Sequence, residues 1–599
     1  MSLLTRFRRP ETEDEPAADA VAVPAAGTED AAPEPGTEAT TDAESRAEAA
    51  DGQVKRRGKV RGGILIVLTV LAAIFVLFAL TVPDNYGQLH AKSFLRIPLE
   101  ALVAVVVLLV LPRPVRRVVA VLLGVLLGLL TIIKVIDIGF TASLARPFDL
   151  VLDWFLLGSA AGVVQDSIGT FGAILAVIGA FLLVIAILTL MVLSMLRLTT
   201  LVVRHNRVAV GATALLTVAW IACAAFGAQV VHGVPVASRA DEQLVVNRAQ
   251  QIRTGLNDKD AFQQEAAVDP FKDTPANELF TGLKGKDVVL TFVESYGRYA
   301  VEDPTFAPPV DAQLDAGTKS LEAAGFAARS GWISSSTVGG GSWLAHASML
   351  SGLYINNQQR YRSLTSGNRL TLTSAFKKAG WHTVSTEPVI DRAWPEGQFY
   401  GYETEYNLNN LGYKGPHFSY ATMPDQYTYQ QFQQRSMQPG HAPLFAEITT
   451  VSSHSPWTPI PKMVDWDKLG DGSIFNDPAN QAGGAPGSII GDPNKLRASY
   501  IGSIQYSLNA LISYIETYGD KNLVLIFLGD HQPAPVVTGQ DASRDVPITI
   551  VAKDPAVLDK ISSWDWTDGL RPAPNAPEWR MDAFRNNFMT AFGSTPSTH

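Results

Sequence analysis

Cysteine is almost absent from this 599-residue chain: the single one, Cys223, lies inside an apolar run. An internal disulfide and a thiolate cage for a metal are therefore excluded. No apolar stretch precedes residue 60, so a cleavable signal peptide is not expected. A basic surface is missing too. The net charge is −9, and the Lys and Arg residues gather beside apolar runs without forming a DNA-reading motif, which sets nucleic-acid binding aside. There is no internal repeat. Much of the acid sits in the first fifty residues among Ala, Pro, Thr and Gly, a composition that cannot bury a core. Residues 1–62 are expected to be a disordered acidic tail on the cytoplasmic side.

What the chain has in excess is apolar residues, 47% of the total, concentrated in the first half. Five segments, 63–82, 94–112, 116–140, 171–196 and 208–233, approach the roughly 20 residues that cross a bilayer. Lys55, Arg56, Arg57, Lys59 and Arg61 precede the first. Arg113, Arg116 and Arg117 join the second to the third, and Arg197, Arg204 and Arg207 join the fourth to the fifth. All three clusters face the cytoplasm if the N-terminus does, and an odd number of spans then places everything after about residue 234 outside. The loop 141–170, with Asp149, Asp153 and Asp166 against Arg146, agrees. Lys134 and Asp137, three apart near the end of the third span, are spaced to pair on one helix face. The expected product is a multi-pass membrane domain over 63–233.

Residues 234–280 are mixed, with Leu244, Val245, Ile252 and Leu256 spaced as on an amphipathic helix, and predict a linker near the membrane surface. From 281 to 599 a further domain is expected. Val288–Val293, Trp381–Val384, Phe445–Val451 and Leu523–Leu528 read as strands, and 316–325, 370–379 and 500–517 as helices. Strands alternating with helices predict an α/β fold on a mostly parallel sheet. Between Pro461 and Lys495, Gly, Pro, Asn and Asp predict a long irregular insertion.

Two carboxylates end apolar strands: Glu294 follows Val288–Val293, and Asp530 follows Leu523–Leu528 and Gly529. Open α/β sheets gather ligands at the carboxyl ends of their strands, so these two can meet. His531 follows Asp530 directly. Two carboxylates and an imidazole suit a divalent cation of the zinc or manganese kind, although an Asp-His pair after a strand also serves as a cap or a satisfied turn. Gly339-Gly340-Gly341-Ser342 opens a predicted helix. Its N–H groups and dipole favour an anion; a flexible loop with an N-capping serine is the plainer reading.

These motifs stand in a familiar order. Val293-Glu294-Ser295, the Ser342 segment running to Met349-Leu350-Ser351-Gly352, Ser453-His454-Ser455-Pro456 and Gly529-Asp530-His531-Gln532 resemble the sulfatase-like branch of the alkaline phosphatase superfamily. In sulfatases a Thr-Gly or similar pair follows the nucleophile by nine and ten residues, and Ser351 and Gly352 hold those offsets from Ser342. The resemblance covers roughly 285–555, and a five-span anchor is similar to membrane lipoteichoic-acid synthases, which are phosphoglycerol transferases. It implies an alkaline-phosphatase-like domain with one manganese or zinc ion held by Glu294, Asp530, His531 and Ser342. Ser342 becomes the nucleophile, and His454 the residue that binds substrate phosphate or protonates the leaving alkoxide. Arg392 and Trp394 fall where the synthases carry phosphate-contacting residues, with imperfect spacing.

The departures are equally specific. Formylglycine maturation needs Cys or Ser followed by x-Pro-x-Arg, whereas Ser342 is followed by Trp343-Leu344-Ala345-His346; only Glu294, not a pair of aspartates, follows the first strand. Sulfate-ester hydrolysis is disfavoured. Serine replaces the synthases' usual threonine and keeps the hydroxyl. Phosphoethanolamine transferases are commonly disulfide-rich outside the membrane, and this soluble half has no cysteine, which favours the phosphoglycerol type. The expectation is transfer of a phospho-headgroup from a membrane phospholipid to a cell-envelope glycan or polymer through a phosphoserine. A phosphodiesterase or sulfatase-type hydrolase of the same fold, or an inactive sensor or binding module, are the alternatives.

Overall fold

A computed structural model describes residues 38–231, 233–489 and 491–594. The acidic tail predicted over 1–62 lies outside the described residues as far as residue 37. From there helix α1 runs Glu38–Thr81; its first part, to Leu68, is a unit by itself. The remaining apolar segments form α2 (Leu99–Val110), α3 (Arg113–Leu144), α4 (Trp154–Arg204) and α5 (Asn206–Ala225). Among the described residues, four stretches are long and apolar enough to cross a membrane: Val60–Thr81, Arg113–Leu144, Gly169–Arg204 and Asn206–Ala225. The second expected span, 94–112, is shorter in helix than predicted. Arg96 folds back so that its Nη2 donates to Thr81 O and its Nε to Ser93 O, and Pro98 caps the N-terminus of α2. At 1.5 Å per residue α2 reaches about 18 Å, against about 30 Å of hydrocarbon. Helices α3 and α4 pack closely because Gly124 carries no side chain: a Cβ there would lie 2.8 Å from Val192 Cα.

The linker is helix α6 (Ala240–Ala267), whose buried face carries Asp241, Leu244 and Arg248. It alters the expectation for Lys134 and Asp137. They do not pair with each other. Lys134 Nζ lies 2.6 Å from Asp241 Oδ1, and Asp137 accepts a very short bond from Arg248.

Beyond the linker is a nine-stranded mixed sheet: β1 (Asp287–Val293), β2 (Ala327–Ser334), β3 (His382–Glu387), β4 (Thr404–Asn407), β5 (Leu444–Thr450), β6 (Leu523–Gly529), β7 (Asp545–Ala552), β8 (Thr567–Asp568) and β9 (Glu578–Arg580). The order is β8-β2-β7-β6-β1-β5-β3-β4, with β9 beside β2. From β6 to β4 every pairing is parallel, and β7 is antiparallel to both its neighbours. Strand β6 is a continuous apolar run as far as Gly529, and β1 is apolar but for Asp287 and Thr291, because both sheet faces are covered. One face packs α8 (Ser342–Ser351), α9 (Leu372–Lys378) and α12 (Ala583–Ala591). The other packs α7 (Pro308–Ala323), α10 (Asp425–Ser436) and α11 (Pro493–Tyr518). The stretch predicted as an irregular insertion, 461–495, holds short 3₁₀ turns and one two-residue strand ahead of α11.

Candidate active site and cation centre

The sheet registers β1 against β6 so that Val293 pairs with Gly529. Glu294 and Asp530, the next residue on each strand, therefore emerge side by side. Asp530 Oδ1 accepts from the backbone N–H groups of Ser295 and His531, at 2.7 Å each, which fixes its plane. Glu294 is braced by Ser295 Oγ, donating to Oε1 at 2.8 Å. Ser453 Oγ donates to the Glu294 carbonyl at 2.6 Å, and Tyr500 to the Ser295 carbonyl at 2.9 Å. The His531 Nδ1 edge is 2.8 Å from Gln532 O, which turns Nε2 towards the carboxylates: 3.6 Å from Glu294 Oε1 and 3.4 Å from Asp530 Oδ2.

The glycine loop brings the fourth group. Gly339 N–H donates to Gln532 O at 2.9 Å and Ser335 Oγ to Asp530 O at 2.6 Å, so the loop is tied to the end of β6. Gly341, with φ of 81°, ends the loop, and Ser342 opens α8. Ser342 Oγ donates to Glu294 Oε2 at 3.1 Å and lies 3.3 Å from His531 Nε2. Gly339 does more than turn the chain. A Cβ at this position would lie 1.8 Å from Ser143 O at the end of α3, so a bare backbone is what lets the serine loop rest on a membrane-type helix. Beside it Trp343 meets Phe155 of α4 edge to face at 6.4 Å, and Gln540 Nε2 donates to Thr141 O at 3.1 Å.

Glu294, Asp530 and His531 offer ligand atoms within 4.8 Å of one another, all buried. Burial pushes the Asp530 carboxyl up to about 6, with the Glu294 charge adding to it. On Glu294 burial also works upward, but the charges of His454 and His531 outweigh it and hold the group low. His531 is raised: burial opposes its charge, yet the two carboxylates win. Two buried carboxylates facing one imidazole and a serine hydroxyl are a set of hard and borderline donors that a divalent cation fits.

His454 follows β5 on a loop, its ring stacked on Tyr420 at 3.7 Å and its Nδ1 2.7 Å from Ser455 O. Asp425, at the start of α10, accepts from Val451 N–H and Ser452 N–H on one oxygen and from Ser507 Oγ on the other, holding that loop. Arg392 is exposed and Trp394 packs on Tyr400 and Tyr402, both at 5.9 Å; neither belongs to the hydrogen-bonded set of Ser342, Glu294, Asp530 and His531. The bracing residues Ser295, Ser453, Asp425 and Tyr500 were not legible beforehand, since their roles exist only through contacts made on folding.

Comparison with known proteins gives a match of residues 288–545 to the family model for sulfatases. Among solved structures, 113 chains match. The lipoteichoic acid synthase LtaP from Listeria monocytogenes is 14% identical over 56% of this chain and 78% of its own, with a TM-score of 0.35. The Streptococcus pyogenes phosphoglycerol transferase GacH is 14% identical over 57% and 93%, with a TM-score of 0.32. The Neisseria meningitidis lipooligosaccharide phosphoethanolamine transferase A is 13% identical over 88% and 96%, with a TM-score of 0.44. No curated protein matches the chain.

Proposed function

We propose, from the premise that residues 288–545 are the sulfatase-like domain of an enzyme, that the chain is a membrane-anchored, metal-dependent phosphotransferase. It moves a phosphoglycerol-like headgroup from a lipid donor to a cell-envelope acceptor. The observation that carries this reading is the position of Ser342: its Oγ stands 3.1 Å from Glu294 Oε2, on a loop seated against the end of α3. A nucleophile beside a membrane helix suits a substrate that never leaves the bilayer.

Glu294, Asp530, His531 and Ser342 would hold the cation, manganese or zinc. When bound it supplies Lewis-acid polarisation of the phosphoryl oxygens and favours the serine alkoxide. Ser342 Oγ attacks phosphorus; the Oγ–P bond forms, the P–O bond to diacylglycerol breaks, and the serine proton leaves the half-buried hydroxyl to solvent. His454 protonates the departing alkoxide. In the second step an acceptor hydroxyl gives its proton to His454, its oxygen bonds to phosphorus, and the Oγ–P bond breaks with the proton returned to Ser342. The site's helix N-terminus supports the negative charge of the phosphoryl group. Arg392 and Trp394 are assigned to binding of the headgroup.

The contacts between helix ends and sheet domain support the proposed orientation. The ends of α3 and α4 that touch the catalytic domain, Thr141–Leu144 and Phe155, are opposite to Arg113–Arg117 and Arg197–Arg207. With those arginines cytoplasmic, the catalytic domain is extracytoplasmic and α2, though short, descends between α1 and α3. The test is mass spectrometry of Ser342 after incubation with membrane lipids. A glycerophosphate adduct is expected; an unmodified serine in protein that still releases headgroup overturns the covalent route. Products then separate transfer from hydrolysis: headgroup on an acceptor polymer, or free in solution.

A further inference from the structure

We propose that His346, Glu387 and Glu447 form a second divalent-cation site, separate from the Glu294, Asp530 and His531 set, that ties the nucleophile helix α8 to strands β3 and β5. The three offer one ligand atom each, all within 4.8 Å of one another, and His346 Nδ1 is 3.1 Å from Glu447 Oε1. Topology brings them together. Strands β3 and β5 are adjacent and parallel with Ser385 opposite Glu447, so Glu387, two residues along, projects from the same face. His346 is four residues after Ser342, one helical turn along α8. Its ring lies on Phe292 of β1 with centroids 3.7 Å apart, which fixes where its nitrogens stand.

Burial makes the arrangement costly without a cation. Glu447 is 2% exposed, and Glu387 and His346 are each 8% exposed. Among the described residues no lysine or arginine forms an ion pair with either glutamate; their donors are neutral hydroxyls, Tyr402 to Glu447 and Thr449 Oγ1 to Glu387 at 2.9 Å. The second ring nitrogen of His346, Nε2, is buried with no hydrogen-bond partner. Two carboxylates without a cationic partner in a packed layer are expensive to charge. Burial accordingly pushes both glutamates up to about 8, and on Glu387 the Glu447 charge adds to it. A divalent cation removes that conflict by replacing the shared protons, and two carboxylate oxygens with one imidazole nitrogen suit zinc or manganese. Trp394 stacks on Tyr402, whose hydroxyl donates to Glu447, so the ion's shell connects to a residue assigned to the headgroup.

This inference goes beyond the proposed reaction and is separable from it. The full-length protein in detergent is stripped with EDTA, dialysed against manganese or zinc, and its metal content measured. Wild type is expected to hold two ions per chain, Glu387→Gln/Glu447→Gln one, and Glu294→Gln one. Saturation of wild type at a single ion that Glu294→Gln abolishes overturns the second site and leaves a proton-sharing cluster. A single ion that survives Glu294→Gln but is lost with Glu387→Gln/Glu447→Gln upholds it and counts against the first centre. Should the double variant not fold, an anomalous-scattering map of metal-loaded wild type decides: a peak among His346, Glu387 and Glu447 supports the proposal, and a map with density only beside Asp530 refutes it.

Discussion

Ser342→Ala removes the oxygen that lies 3.1 Å from Glu294, and turnover of a lipid headgroup donor is expected to drop at least about 10³-fold. Ser342→Thr keeps a hydroxyl at the same helix position and should retain most of the rate. Steady-state assay of both variants checks the pair, and an equal loss in Thr would deny the hydroxyl its role. A second residue acts through charge. Asp425 is raised above its ordinary value by burial, against the pull of Ser507, Val451 and Ser452. Its folded form therefore binds the proton more tightly than the unfolded form, so the associated stability is full at low pH and is lost as pH rises through the shifted value. Asp425→Asn keeps an acceptor for the two N–H groups and removes this loss. Measured by melting across roughly pH 4 to 7, the variant is expected to gain on wild type as pH rises; a constant gap would refute the assignment. Glu294 and Asp530 were legible because each ends an apolar strand, where an acid is conspicuous. Glu447 was not. It sits inside β5 between Ala446 and Ile448, where alternation reads as an exposed position, and only the helix layer over that face buries it.

At the scale of elements, β1, β3, β5 and β6 were legible as short apolar or β-branched runs, whereas β2 and β7 were not, because Arg329, Ser330 and Gly331 break the one and Pro547 the other, and β4, β8 and β9 are only two to four residues long. Helix α2 read poorly, since composition counts residues 94–98 as apolar chain, whereas a 3₁₀ helix ends at Phe94, Arg96 folds back onto Thr81, and Ile97–Pro98 pair as a short strand with Ala237–Ser238. The glycine loop was legible as a turn but not as a docking surface, because nothing local reveals that Ser143 lies against Gly339. Two substitutions separate these properties. Both Gly339, with φ of 71°, and Gly341, with φ of 81°, resist a side chain through backbone strain of about 1 kcal/mol. Only Gly339 also meets another backbone, at 1.8 Å, while the nearest atom to a Gly341 Cβ is 3.5 Å away. Gly339→Ala is expected to lower the melting temperature several degrees more than Gly341→Ala, although Gly341 is nearer Ser342. Equal shifts in thermal unfolding would mean that the loop does not rest on α3 in solution.

For the whole molecule, the question is what keeps the catalytic domain seated over its membrane helices. The charges that the sequence placed three apart on α3 proved to be two separate anchors into α6: Lys134 with Asp241 and Asp137 with Arg248, matched along facing helices. Asp137 is fully buried and Arg248 nearly so, and Phe148 N–H also donates to Asp137 at 2.9 Å. Removing one partner of such a pair strands the other, at a cost of about 3–5 kcal/mol, whereas neutralising both together costs far less. Arg248→Ala is therefore expected to loosen the linker, and Asp137→Asn/Arg248→Gln to restore most of the stability. The candidate centre itself, built within the sheet domain by β1, β6 and the Ser342 loop, touches neither residue of the pair. Hydrolysis of a small soluble phosphodiester should therefore change little in Arg248→Ala, while transfer from a lipid donor in vesicles falls about tenfold or more as the site loses its register with the bilayer. Parallel assays on the two substrates measure this split. An equal fall on both would show that the ion pairs support the fold of the catalytic domain and not its placement over the lipid.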